Sequence, residues 1–275
     1  MEKFPRAPGN PWGWHPARSG CPWKPGKETV SILRAESVTK LFGRKTGEAL
    51  RKLRAGADLA EIRAMGVTPA VVDATFEVER GETFVVMGLS GSGKSTLIRM
   101  LNGLLEPTSG RVEVAGQDIA RMPAKPLREL RQKKISMVFQ HFALFPHRSV
   151  LANAAYGLEV QGVPRDEREK TAREFLELVG LRGWEDHLPG QLSGGMRQRV
   201  GLARALASGT DIILMDEAFS ALDPLIRREM QDLLLDLQAR LGKTIVFITH
   251  DLNEAMRLGD RIAVMREGRI VQIGT

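Results

Sequence analysis

The sequence predicts an α/β domain built on a largely parallel β-sheet, with a helical subdomain inserted into it. Three observations carry that expectation. From Val71 onward, apolar strand-like runs alternate with helix-patterned runs, the order of strand–helix–strand units. A glycine-rich turn at 88–95 falls between one such strand and one such helix. The 275 residues, 43% hydrophobic and 27% charged, supply enough apolar surface for one large core and exclude wholesale disorder.

The elements follow in chain order. Residues 1–26 hold six of the fourteen prolines, four glycines and the tryptophans Trp12, Trp14 and Trp23. That composition sustains neither helix nor strand, so an irregular leader is expected over 1–29. It contains the single cysteine, Cys21, which cannot pair within the chain and suits a reducing compartment. The leader has no apolar core of the signal-peptide kind, and no run reaches the roughly 18 apolar residues of a membrane span. The chain is therefore expected neither to cross a membrane nor to be exported.

A strand is expected over Val30–Phe42, then an insert at 43–70. Within the insert, Leu50, Leu53, Ile62 and Met65 sit at helical spacing, with a break at Gly56 and Asp58. Strands FEVE and TFVVMG lead to the glycine-rich turn and the helix STLIRMLNGLL. Strands RVEVAG and ISMVFQ follow, the second ending at Gln140. Helical patterns dominate from about 150 to 207, and a subdomain is expected over about 141–200. Strand IILMD, helix LIRREMQDLLLDLQARLG, strand TIVFIT, helix LNEAMRLG and strands RIAVMREG and RIVQIG complete the chain. The domain proper is expected to be 30–275.

Charge excludes one class of partner. The net +7 arises in residues 1–34 (net +4) and 43–70 (net +3), whereas from residue 71 onward 27 basic residues balance 27 acidic ones. A neutral core argues against a nucleic-acid groove.

Three segments carry chemistry. Gly88-Leu89-Ser90-Gly91-Ser92-Gly93-Lys94-Ser95 fits G-x-x-x-x-G-K-[ST], the phosphate-binding loop. Glycines let successive backbone N–H groups turn toward phosphate oxygens, and the helix start adds partial positive charge. Lys94 can reach the β- and γ-phosphates of a nucleotide, and the Ser95 hydroxyl can ligate Mg²⁺. The second segment, Ile212–Glu217, is an apolar strand ending in two acids. Asp216 suits Mg²⁺, and Glu217, placed beyond the pleat, can take a proton from an attacking water. The third, Leu192-Ser193-Gly194-Gly195, opens a helix whose amides make a second anion nest; an ordinary capped helix start fits the same four residues.

The run Leu-Ser193-Gly194-Gly195-Met-Arg-Gln198-Arg199 resembles the signature of the ABC-transporter ATPases, and the family's other elements stand in its order. Gln140 matches the Q-loop glutamine, Ser220-Ala-Leu-Asp223 the D-loop, and His250 the switch histidine. Taken alone, His250 fits a structural histidine equally well and Gln140 a surface turn. Over about 30–275 the resemblance implies a P-loop NTPase fold with an added antiparallel β portion. It also implies a head-to-tail homodimer in which ATP lies between one chain's phosphate loop, from Gly88 through Thr96, and the other's Ser193–Gly195 nest. Lys94, Gln140, Glu217 and His250 become catalytic, with Gln140 sensing Mg²⁺ and water, and Asp223 communicates across the pair. Phe42 stacks on adenine, although a core phenylalanine fits there too.

The strings GLSGSGKSTLIRMLNGLLEPTSG, MVFQHFALFPHRSVLANAAYGLEVQG and MDEAFSALDPLIRREMQ resemble the ATPase subunits of glycine betaine/proline (quaternary amine) importers, which carry an insert like 43–70. That implies transmembrane permease subunits touched through His141–Val150, an indirectly coupled substrate-binding protein, and a peripheral place on the cytoplasmic face of the membrane. Importers of methionine, polyamines or other amino acids are the alternative, and a soluble ABC ATPase the more distant one. Many osmoregulatory members continue into paired CBS domains, and the ionic-strength sensing tied to those domains is not carried over to this sequence.

Overall fold

The computed structural model describes residues 31–275; the leader expected over 1–29, with Trp12, Trp14, Cys21 and Trp23, lies outside the described residues. Strand β1 (Ser31–Phe42) is followed by helices α1 (Thr46–Arg54) and α2 (Leu59–Ala64), then β2 (Thr68–Glu79) and β3 (Thr83–Met87). Next come α3 (Lys94–Leu101), β4 (Ser109–Val114), β5 (Gln117–Asp118), α4 (Ala124–Lys134) and β6 (Ile135–Phe139). Helices α5 (Val150–Ala154), α6 (Tyr156–Val160), α7 (Arg165–Leu178) and α8 (Gly194–Ala207) precede β7 (Ile212–Asp216) and α9 (Pro224–Leu241). The chain finishes with β8 (Thr244–Thr249), α10 (Leu252–Leu258), β9 (Arg261–Arg266) and β10 (Arg269–Gly274).

Helices α8, α9 and α10 start at side chains that accept otherwise unpaired N–H groups. Ser193 accepts from Met196, Asp223 from Ile226 ahead of Pro224, and Asp251 from Asn253 and Glu254. Gly242, at φ +58°, closes α9 in the left-handed conformation.

Two sheets result. One is antiparallel, in the order β2-β1-β4-β5; the other runs β10-β9-β3-β8-β7-β6 and is parallel except for the β9–β10 hairpin. Strands β3, β7 and β8 are buried almost throughout and rich in valine, isoleucine, leucine and phenylalanine, because both faces of this sheet are covered. Helix α3 lies between the two sheets, burying Leu97, Ile98, Met100 and Leu101, and Phe76 stacks on Phe84 at 5.1 Å to join them. The opposite face packs against α5 and α7 to α10. Among the described residues no helix is long and apolar enough to cross a membrane.

Candidate functional site

The parallel sheet fixes the site by register. Met87 pairs with Thr249, Ile248 with Asp216, and Asp216 with Phe139. The four strands therefore end within one residue of each other, and the next residues (Gly88, His250, Glu217 and Gln140) emerge together at one edge. Ligands of open α/β sheets bind outside such carboxyl ends. One boundary differs from the sequence reading. Gln140 does not end a strand, because β6 stops at Phe139, which frees its side chain from the pleat, whereas β8 ends at Thr249 as expected, with His250 next.

The loop from Gly88 to Gly93 wraps the start of α3. A Cβ on Gly93, at φ +103°, would lie 2.1 Å from Ala70 O, and one on Gly88 2.2 Å from Met265 O. Those glycines are demanded by the protein's own crowding. At Gly91, also left-handed, a Cβ would meet nothing within 4 Å, so the loop is open there. Leu89 and Ser90 are exposed at its rim, while Ser95 and Thr96 occupy the first turn of α3. Ser92 Oγ is buried without a hydrogen-bond partner among the described residues. An open turn with an orphaned hydroxyl and a helix N-terminus fits a phosphate chain.

Lys94 is 3% exposed, and its Nζ donates to Gly88 O at 2.8 Å and Leu89 O at 3.0 Å. It also stands 3.5 Å from Glu217 Oε1. Glu217, just past the strand, adopts φ +46°, a conformation that costs a non-glycine residue about 1–3 kcal/mol. That turn brings its carboxylate toward Lys94 and within 3.1 Å of His250 Nδ1. Ser95 Oγ donates to Asp216 Oδ1 at 2.9 Å.

Burial drives the Asp216 carboxyl above its ordinary pKa, against the lowering effects of Ser95, Arg99 and Lys94. A buried carboxylate and a hydroxyl in contact are hard oxygen donors suited to Mg²⁺. Among the described residues no group of three or more His, Cys, Asp or Glu forms a metal cage. Because the raised pKa makes charged Asp216 destabilising above its ordinary range, a penalty relieved as the pH falls through the raised value, an amide should remove the cost. Asp216→Asn, without metal or nucleotide, is expected to raise Tm by about 2–4 °C, the shift that about 1 kcal/mol gives in a chain of this size. The same substitution should remove the stabilisation that Mg²⁺ with ATP gives the unaltered chain; differential scanning calorimetry reads both.

Other candidates lie apart. Phe42, at the end of β1, is 41% exposed under the Lys40 ammonium (5.2 Å from the ring centre), which excludes the core alternative. It pairs with Thr68 on β2, two residues before the Ala70 that touches Gly93. The Ser193–Gly195 nest packs on Leu222 and Ile226 instead of on the phosphate loop. Ser193 and Asp223 both face solvent. Sequence reasoning missed Arg227, Thr249 and Glu254, which bond around the Asp223 and His250 segments. Most of their partners are backbone carbonyls or distant in sequence, and no motif signals them.

Residues 71–220 match the ABC transporter family. The chain is similar to a glycine betaine transport ATP-binding protein of Bacillus subtilis, at 61% identity over 88% of this chain and 58% of that protein's length. It thus spans less than two thirds of that relative. A trimethylamine N-oxide transport system ATP-binding protein of Ruegeria pomeroyi is 54% identical over 89% of this chain and 72% of its own length. Among solved structures, the dimeric post-hydrolysis state of an ATP-binding cassette bound to ADP and Pi superposes with a TM-score of 0.75. It is 32% identical, over 89% of this chain and 98% of that one.

Proposed function

Because this chain belongs to the ABC transporter family, we propose that it binds and hydrolyses ATP to power an importer of quaternary amines of the glycine betaine and proline betaine type. The observation that carries the reading is the convergence of Lys94, Ser95, Asp216, Glu217 and His250 where the parallel strands end. The betaine and trimethylamine N-oxide transport relatives support the cargo class.

In this reading the amides of 89–95 and Lys94 hold the ATP phosphates. Ser95, Asp216 and Gln140 would hold Mg²⁺, which would supply neutralisation of the phosphate charge. Glu217 accepts a proton from the water that attacks the γ-phosphorus, as the bond to the β–γ bridging oxygen breaks and ADP leaves. His250 holds the Glu217 carboxylate in line for that transfer. Phe42 offers its exposed face to adenine.

The exposed Ser193 nest lies away from its own phosphate loop, so a second copy, head to tail, supplies it to each ATP, with Asp223 at the seam. The dimeric cassette bound to ADP and Pi supports that arrangement. Permease subunits take up the motion through His141–Val150, which puts the chain at the cytoplasmic face of the membrane, and a substrate-binding protein delivers cargo to them.

A mixing experiment tests the shared site. Gly194→Glu places a carboxylate in the nest, and its Cβ would meet Leu222 at an ordinary 3.8 Å, so the variant should fold. Gly194→Glu and Lys94→Ala chains are each expected to be inactive. Mixed, they should regain hydrolysis, because one of the two sites in each mixed pair is intact. A mixture as inactive as its parts would overturn the head-to-tail pairing.

A further inference from the structure

One guanidinium ties together two segments that the site needs. Arg227, one turn into α9, donates from Nε to Phe219 O at 3.3 Å and from Nη2 to Ser220 O at 3.4 Å and Leu222 O at 3.0 Å. These carbonyls belong to the stretch between Glu217 and Asp223. The same group faces two acids beyond His250: Nη1 lies 3.6 Å from Asp251 Oδ2, and Nε lies 3.9 Å from Glu254 Oε1.

The acidic side is anchored to the histidine itself. Glu254, on α10, is only 4% exposed. Its Oε2 accepts from Thr249 Oγ1 at 2.5 Å, and its Oε1 accepts from Gln231 Nε2 at 3.3 Å. Thr249 Oγ1 in turn accepts from the Asp251 N–H at 3.0 Å. His250 is thus bracketed by Thr249 and Asp251, both fastened to the Arg227–Glu254 pair, and its Nδ1 meets Glu217 at 3.1 Å. A buried carboxylate is costly unless it is paired and hydrogen-bonded; here each Glu254 oxygen accepts one bond, and Arg227 faces the group at 3.9 Å.

We propose that Arg227 is a positioning residue that links the segment before Asp223 to His250, so that movement at the seam between two copies sets how His250 holds Glu217. Its grip is on backbone carbonyls, so it follows the position of that segment whatever side chains the segment bears. A planar fork serves this role because it can meet several acceptors at once; an ammonium is a single point of charge. The proposal rests on the ATPase reading above.

The test is a double-mutant cycle on the full chain, with Mg²⁺–ATP turnover and nucleotide affinity measured in each variant. Arg227→Ala is expected to lower kcat about tenfold or more while leaving the affinity for ATP unchanged. In the background of His250→Ala it should cost nothing further, since Arg227 acts through His250. Arg227→Lys should recover only part of the loss. A purely structural role would instead multiply the two defects or weaken nucleotide affinity in step with kcat, and either result overturns the proposal. Should Arg227→Ala not fold, Glu254→Gln replaces it in the same cycle. It keeps an acceptor for Thr249 but removes the charge facing Arg227, and additivity with His250→Ala would again refute the link. An unaltered chain that hydrolyses no ATP would refute the ATPase reading, and this proposal with it. An active unaltered chain with an additive cycle refutes this proposal alone.

Discussion

Glu217→Gln is expected to abolish turnover while ATP still binds, with hydrolysis falling by about 10²–10⁴-fold, the span contributed by a positioned general base. Glutamine keeps the volume and can still accept from His250, which lies 3.1 Å away. It loses the basic oxygen that takes the proton from water, and it loses the charge 3.5 Å from Lys94. Since the phosphate-holding groups are untouched, the variant should collect ATP and remain paired with a second copy. Phosphate release in a single turnover, together with the mass in solution with and without ATP, checks both halves. Normal turnover would remove Glu217 from its assigned role.

Lys94→Ala should fail one step earlier, at binding. Its ammonium is buried at the mouth of the loop, held by the carbonyls of Gly88 and Leu89, so it is already oriented before nucleotide arrives. Loss of one oriented donor costs about 10²–10³-fold in catalysis, and here the donor also neutralises phosphate charge in the ground state. The substitution also strips two carbonyls of a partner, at about 1–3 kcal/mol for any left unsatisfied. Calorimetric titration with Mg²⁺–ATP should show no binding while thermal melting confirms a folded chain. Retained affinity would mean that the loop does not use Lys94 on phosphate.

The contrast between these two residues also explains what could be read from sequence. The phosphate loop is legible because its residues are contiguous, with Gly88, Gly93, Lys94 and Ser95 at fixed spacing, although the crowding that demands the two glycines comes from Met265 and Ala70, distant in sequence. Buried strands such as IILMD and TIVFIT are legible as unbroken apolar runs. Helix α4 is not, because among AKPLRELRQKK only Leu130 is buried and no apolar stripe forms. The order β9-β3-β8-β7-β6 is not legible either, since crossovers between distant segments decide it, and that order is what places Gln140 beside Glu217. The brace of Arg227 on Phe219, Ser220 and Leu222 uses carbonyls that every residue owns, so nothing in the letters marks it. Glu254 reads as an ordinary acid in the first turn of a helix, although it is buried there and bonded to Thr249.

The most direct measurement of the account is uptake of labelled glycine betaine by cells carrying this chain with its cognate permease and binding protein, beside the same cells carrying Lys94→Ala. The account predicts accumulation in the first and none in the second. Equal uptake in both would contradict the claim that ATP at this loop drives transport. No betaine uptake by cells whose purified chain hydrolyses ATP would contradict the assigned cargo.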